Sequence, residues 1–298
     1  MSERPVCNYE GSRYSTEFWD SSRAYEDGAE RAALRVLLPP RGRRIIEIGA
    51  GFGRLADLYR GYETIVLFDY ASTQLEQAVE RLGEMDATQA PQFVYIMADF
   101  YKLPFVPGLF DTVTMIRTLH HAVDAPAVLQ GLARILAPKG SFVLEFANKH
   151  NLKALARYLL RRQTWSPFDR EPVEFIPLNF DFHPRWIWEQ LACAGLQRQA
   201  VRTVSHFRIG LLKRLFPTSW LVALDTLAQP TGRWWQWSPS VFVHAVAGEK
   251  DAAPAGLFFA CPECGTPLGA PPESTFTCTG CSRTWRRQGS IYNFREPV

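Results

Sequence analysis

Apolar residues along this chain fall into two rhythms, short β-branched runs and stretches with three-to-four-residue spacing, and the two alternate. Arg43-Arg44-Ile45-Ile46-Glu47-Ile48 is a compact apolar run that ends in glycines, which predicts a buried strand. Runs at 64–69, 93–100, 110–117 and 140–146 repeat the pattern and predict four more strands. Between them, 55–59, 72–82 and 125–136 carry helical spacing; Ser72 with Leu75, Ala78, Val79 and Leu82 reads as a capped amphipathic helix. Upstream, Ala29, Ala32, Ala33, Leu34, Val36 and Leu37 mark another helix behind an aromatic stretch containing Tyr9, Tyr14, Phe18, Trp19 and Tyr25. Downstream come a helix near 185–194, a sixth strand near 197–207 and a seventh at 240–247. Such alternation predicts an α/β fold, a doubly wound, mostly parallel seven-stranded sheet.

The first strand leads into Glu47-x-Gly49-x-Gly51-x-Gly53. Glycines at alternate positions let the backbone turn sharply and approach a ligand more closely than a Cβ allows, and a following helix would offer free N–H groups. A dinucleotide fingerprint would place its third glycine at 54, which is Arg54, so an NAD or FAD site is disfavoured. The second strand ends in Asp69, 20 positions after Gly49, where a carboxylate can accept both ribose hydroxyls; the third reaches Asp99 and Phe100. Each acid alone could equally cap a helix.

Glycine loop, acid-ended second strand and acid-ended third strand, in that order, resemble the class I S-adenosylmethionine (SAM) dependent methyltransferases over residues 9 to about 248. The Leu136-Ala137-Pro138-Lys139-Gly140 turn is also similar to theirs. The resemblance implies their Rossmann-like sheet, with the last strand antiparallel between the fifth and sixth. It implies that Glu47, Gly49, Gly51 and Gly53 hold the methionine part, Asp69 the ribose, and Asp99 with Phe100 the adenine, with Tyr70 also among the cofactor-binding residues. It also implies that Arg117 and the loop after the fourth strand border the methyl group. In that loop His120 and His121 are candidates for a general base, since a histidine titrating near neutrality can take a proton from a phenol, enol or carboxyl acceptor. An Asn/Asp-Pro-Pro-aromatic motif is absent there, unlike in enzymes that methylate amines. Leu119-His120-His121 looks more like small-molecule methyltransferases of the quinone and natural-product type. O- or C-methylation of a small molecule is therefore expected; the alternatives are an RNA or protein acceptor, or a non-catalytic SAM-fold subunit.

Two inserts interrupt the later part, at about 148–184 and 208–238, and seven of the nine tryptophans lie between 165 and 237. Their density suggests a large apolar or aromatic acceptor pocket, or equally a lid core or a partner patch. Residues 148–162 form a basic amphipathic helix, read as packing its apolar face on the domain in preference to a membrane or RNA surface.

Residues 249–258 read as a linker, dividing a 1–248 domain from a 259–298 module. Cys261-x-x-Cys264 and Cys278-x-x-Cys281 supply the four thiolates of a structural Zn²⁺ site, and the segment resembles zinc ribbons fused to methyltransferases or acting as their small activators. About 40 residues bury too little to fold alone, so metal is expected to supply most of the module's folding free energy. Cys7 and Cys193 are expected to be unpaired and inert. Thirty-three basic against 30 acidic side chains give a net charge of +3, too little for a global field toward nucleic acid or membrane. With neither a leader-like nor an 18-residue apolar stretch, a cytoplasmic protein is expected.

Overall fold

The computed structural model describes residues 5–11, 23–83, 91–269 and 275–298. Tyr14, Phe18 and Trp19 lie outside the described residues. The elements run α1 (Ala24–Leu37), β1 (Gly42–Ile48), β2 (Tyr62–Asp69), α2 (Ser72–Leu82), β3 (Gln92–Met97), β4 (Phe110–Met115), α3 (Ala125–Ile135) and β5 (Leu136–Ala147). They continue α4 (Leu152–Leu159), β6 (Val173–Ile176), β7 (Asn179–Asp181), α5 (Pro184–Cys193), β8 (Leu196–Val204), α6 (Gly210–Leu215), α7 (Thr218–Ala228) and β9 (Ser240–Ala247). The C-terminal segment adds β10 (Thr275–Thr277), β11 (Thr284–Gln288) and β12 (Ile291–Asn293).

Strand order in the main sheet is β10-β11-β12-β3-β2-β1-β4-β5-β9-β8, with β3-β2-β1-β4-β5 all parallel and β9 antiparallel to both neighbours. The chain starts at β1 and winds outward in both directions. Between β1 and β4 the order reverses, and there the carboxyl ends of a parallel sheet open a ligand crevice. Successive residues of β1 and β2 point to opposite faces, so both faces need cover. Ile45, Ile65 and Leu67 pack with residues of α1, α2 and α7; Ile46, Ile48, Val66 and Phe68 pack with α3, α5 and the C-terminal aromatics.

Where seven strands were expected, the sheet has ten. β12 pairs in parallel with β3, and Phe294 N–H donates to Met97 O (2.8 Å). That pairing covers an edge that would otherwise present open donors and acceptors. Phe259 lies against Phe105, Tyr292 and Phe294, and Trp285 is buried. Segment 249–258 is no free tether either: Ala253 N–H donates to Gly108 O (3.0 Å) and Val106 N–H to Phe258 O (3.2 Å). The C-terminal segment thus shares a core and a sheet with the body, and metal need not carry its folding alone.

The inserts depart from expectation in a different way. In α4 only Ala154 is buried, while Leu152, Leu159 and Leu160 face outward with Lys153 and Arg157. The apolar face that the sequence assigned to packing is at the surface.

Candidate functional site

All three loop glycines take positive φ (Gly49 74°, Gly51 53°, Gly53 72°), a region costly for residues with a Cβ. They need glycine for different reasons. A Cβ on Gly49 would lie 2.1 Å from Thr118 Oγ1, and one on Gly53 2.8 Å from Leu82 Cδ1, so both allow close packing. A Cβ on Gly51 would meet nothing nearer than Gln74 Oε1 at 3.9 Å. Its bare face borders open space where a ligand backbone or sugar can approach.

No α-helix follows the loop. Residues 51–55 are turns and only a single 3-10 turn, Ala56–Tyr59, succeeds them, so the helix N-terminus expected there is missing. The chain instead commits its loop donors internally: Gly49 and Ala50 N–H donate to Phe68 O (2.8 and 3.0 Å), and Gly51 N–H donates to Asp69 Oδ2 (2.8 Å).

Above the loop lies a partly open, mostly apolar crevice. Of the residues expected to bind cofactor or act as base, Gly49, Gly51, Asp69, Tyr70, Phe100, Arg117 and His121 line it. Glu47, Gly53, Asp99 and His120 do not line it. Cys7, Tyr9, Phe68, Gln74 and Thr118 complete the wall. Cys7 and Tyr9 come from the N-terminal segment, and nothing local in the sequence marked them as part of the wall. Arg295 reaches the same wall from the far end of the chain, donating to Tyr70 O (3.0 Å) and lying over the Tyr70 ring (5.0 Å). Glu10 caps α2 through Ser72 and Thr73 N–H (2.9 and 3.0 Å), the role expected of Ser72 itself.

Asp69 is the central carboxylate. Oδ1 accepts from Ala71 N–H (3.0 Å) while Oδ2 holds the loop, and burial raises its pKa against those two bonds. Glu47 sits wholly buried behind the loop, its Oε2 without a hydrogen-bond partner. Burial pushes it up to about 8, with Arg54 opposing, so it is mostly protonated at neutral pH. Asp99 accepts from Tyr101 N–H (2.9 Å), fixing the turn that presents Phe100.

Arg117, at φ 55°, donates its backbone N–H to Glu145 Oε2 (2.9 Å) and its Nε to Glu30 Oε1 (2.6 Å). The other oxygen of Glu30 accepts from Arg54 Nη2 (2.8 Å). Buried Glu30 on α1 therefore ties the glycine loop to the end of β4. Its partners lie 24 and 87 residues away, so no sequence pattern marks it.

His121 is buried, with Nδ1 3.0 Å from Leu178 O and Nε2 3.0 Å from the Tyr9 hydroxyl. A carbonyl can only accept, so Nδ1 carries the proton and Nε2 presents its lone pair to the crevice. Burial lowers the pKa of His121, and lowers that of His120 well below the ordinary value with help from His121 and Arg117. Both rings are neutral at physiological pH, and only His121 faces the crevice.

A second cavity of about 390 Å³ is lined by Phe168, Trp234, Trp235 and Trp237 together with His150, His183, Arg170 and Arg185. Three of the clustered tryptophans stand in its wall, and it shares no lining residue with the first crevice.

Cys261, Cys264, Cys278 and Cys281 bring four sulfurs within 4.8 Å of one another, with Cys261–Cys281 3.6 Å and Cys264–Cys278 3.4 Å apart. Those separations exceed an S–S bond and approach the ~3.8 Å edge of a tetrahedron with ~2.3 Å Zn–S bonds. The donor set and geometry fit zinc.

A protein family described as "Methyltransferase domain" matches residues 46–144. The chain is 31% identical over 150 residues to a ubiquinone biosynthesis O-methyltransferase of Paracidovorax citrulli, covering 48% of this chain and 61% of that protein. It is also 31% identical over 202 residues to a ubiquinone/menaquinone biosynthesis C-methyltransferase of Pseudomonas syringae pv. tomato, covering 63% and 78%. The chain spans between about half and three fifths of the first curated relatives it matches. In structure it resembles a chain of the complex between the Haloferax volcanii Trm112 methyltransferase activator and a methyltransferase (TM-score 0.52, 18% identity, 78% of this chain and 95% of that one). Sheet order, glycine loop and crevice agree with this kinship, and the chain belongs to the class I SAM-dependent methyltransferases.

Proposed function

We propose that the protein binds SAM in the crevice above residues 49–53 and transfers its methyl group to oxygen or carbon of a small, apolar acceptor. The observation that carries the reading is the bare face of Gly51 beside the Asp69 carboxylate, a shape and charge suited to a nucleoside and left open by the protein itself. Asp69 and Tyr70 would hold the ribose, Phe100 the adenine face, and Gly49 and Gly51 the methionine part. When bound, SAM supplies an electrophilic methyl on a sulfonium. Such transfer needs alignment and a dry site more than covalent help, which Tyr9, Phe68 and Phe100 provide.

His121 takes the acceptor's proton at Nε2, because Leu178 O fixes Nδ1–H and the crevice sees only the lone pair. The Tyr9 hydroxyl marks where an acceptor hydroxyl would sit. Curated relatives named for ubiquinone, menaquinone and rifamycin methylation support a small-molecule acceptor. The C-terminal segment is read as a zinc ribbon that braces the crevice in cis through Arg295 and Tyr70, in place of a separate activator subunit.

Incubating cell extract with the protein and methyl-labelled SAM tests the reading. Label should enter the organic-soluble fraction; label in RNA or protein instead, or no SAM binding by calorimetry, overturns it.

A further inference from the structure

The inserts at the carboxyl edge of the sheet carry apolar side chains that none of the described residues covers. On α4, Leu159 is 74% exposed and Leu160 64%. On α7, Trp220, Leu224 and Leu227 (78%) form an i, i+4, i+7 stripe facing outward, because the inner side of that helix is pinned to α1. The pins are Tyr25 Oη to Asp225 Oδ1 (2.9 Å) and Gln229 Nε2 to Ala29 O (2.9 Å). The patch is continuous from α4 to the tryptophans: Leu152 N–H donates to Trp237 O (2.9 Å), and Trp235 stacks on Trp237 (5.7 Å). An apolar surface this extensive marks an interaction site.

Charge identifies the partner. Residues 148–238 hold 13 basic and 6 acidic side chains, net +7, although the whole chain is only +3. Arg161, Arg162 and Arg214 stand exposed beside the leucines. A second copy of the chain would oppose like charge. A polynucleotide would match the arginines and leave the leucines in water. A bilayer with anionic headgroups satisfies both, since leucine and tryptophan enter the acyl boundary while arginines meet phosphates.

We propose that this face docks the protein on the surface of an anionic phospholipid bilayer, independently of the acceptor's identity. β5 and β8 end, and β9 begins, at the same edge as the SAM crevice, so docking turns that edge toward the lipid. No described helix is long and apolar enough to cross a membrane; the association is interfacial.

The test is flotation of the full chain with phosphatidylcholine vesicles, with and without phosphatidylglycerol. Binding at least tenfold stronger to the anionic vesicles, weakened by salt, is expected. The L159S/L227S and R161E/R162E variants should each lose it with unchanged circular dichroism and SAM binding, because all four side chains are exposed. Absence of flotation at low salt, flotation insensitive to both variants, or a dimer in analytical ultracentrifugation that the leucine variant dissociates would overturn the proposal. So would tighter binding to RNA than to the anionic vesicles.

Discussion

Gly49 and Gly51 sit two residues apart at similar φ, yet their surroundings differ enough to separate folding from ligand binding. Adding a methyl at Gly51 imposes only the left-handed backbone, at about 1 kcal/mol, because nothing lies within 3.9 Å of the new Cβ. For a chain of this size that lowers Tm by roughly 2–4 °C. Gly49→Ala carries the same backbone term and also drives a Cβ to 2.1, 2.6 and 2.9 Å from three Thr118 atoms, so overpacking adds about 1–3 kcal/mol. In differential scanning fluorimetry without ligand, Gly51→Ala should stay near the parent and Gly49→Ala fall well below it. In calorimetry, Gly51→Ala should lose at least tenfold in SAM affinity, about 1.4 kcal/mol. A Gly51→Ala protein that binds SAM as the parent does, or that melts as low as Gly49→Ala, refutes the reasoning, since the open face would then serve neither ligand nor packing as argued.

Asp69→Ala should cost more affinity than Gly51→Ala, because it removes the carboxylate proposed to accept the ribose hydroxyls and releases the Gly51 N–H; calorimetry giving parental affinity would count against it. Glu47 supplies a pH signature. Its folded pKa, about 8, is above the 4.5 of the unfolded chain, so its stabilising contribution is present at low pH and disappears as pH rises through 8, by about 5 kcal/mol at most. Thermal melts of ligand-free protein should therefore fall between about pH 4.5 and 8 and level off above that, and Glu47→Gln should flatten that slope. About one zinc per chain is expected by elemental analysis, and chelation should weaken SAM binding through Tyr70; Arg295→Ala should do so with zinc retained. His121→Ala should lower kcat by about 10²–10⁴ while His120→Ala leaves it within tenfold, and the parental rate should fall only below the ordinary histidine pKa because burial depresses that of His121.

The strands and glycine loop were legible because parallel strands buried on both faces must be apolar along their length, and a left-handed turn needs glycine whatever surrounds it. β9 was expected at 240–247, as observed. The Leu136–Gly140 turn, by contrast, is absorbed into β5, since Leu136 pairs with Phe110 before a bulge reaches Ser141. The sequence also marked Asp69 and His121, whose neighbours in the chain carry their context. It could not rank His121 over His120 or Asp69 over Asp99, because which side chain enters the crevice depends on how β4 and the 178 turn meet.

By itself, then, the sequence determined what is local: the five parallel strands, helices α1, α2, α3 and α5, the loop's handedness and the four-thiol spacing. Tertiary structure decided what depends on distant partners. Buried Glu30 has to find Arg54 and Arg117, Arg295 has to reach Tyr70 across the chain, and β12 has to seal the edge of β3. Amphipathicity told that α4 has an apolar face, but whether such a face meets protein or solvent is set by what else folds beside it, and on α4 and the outer side of α7 none of the described residues does.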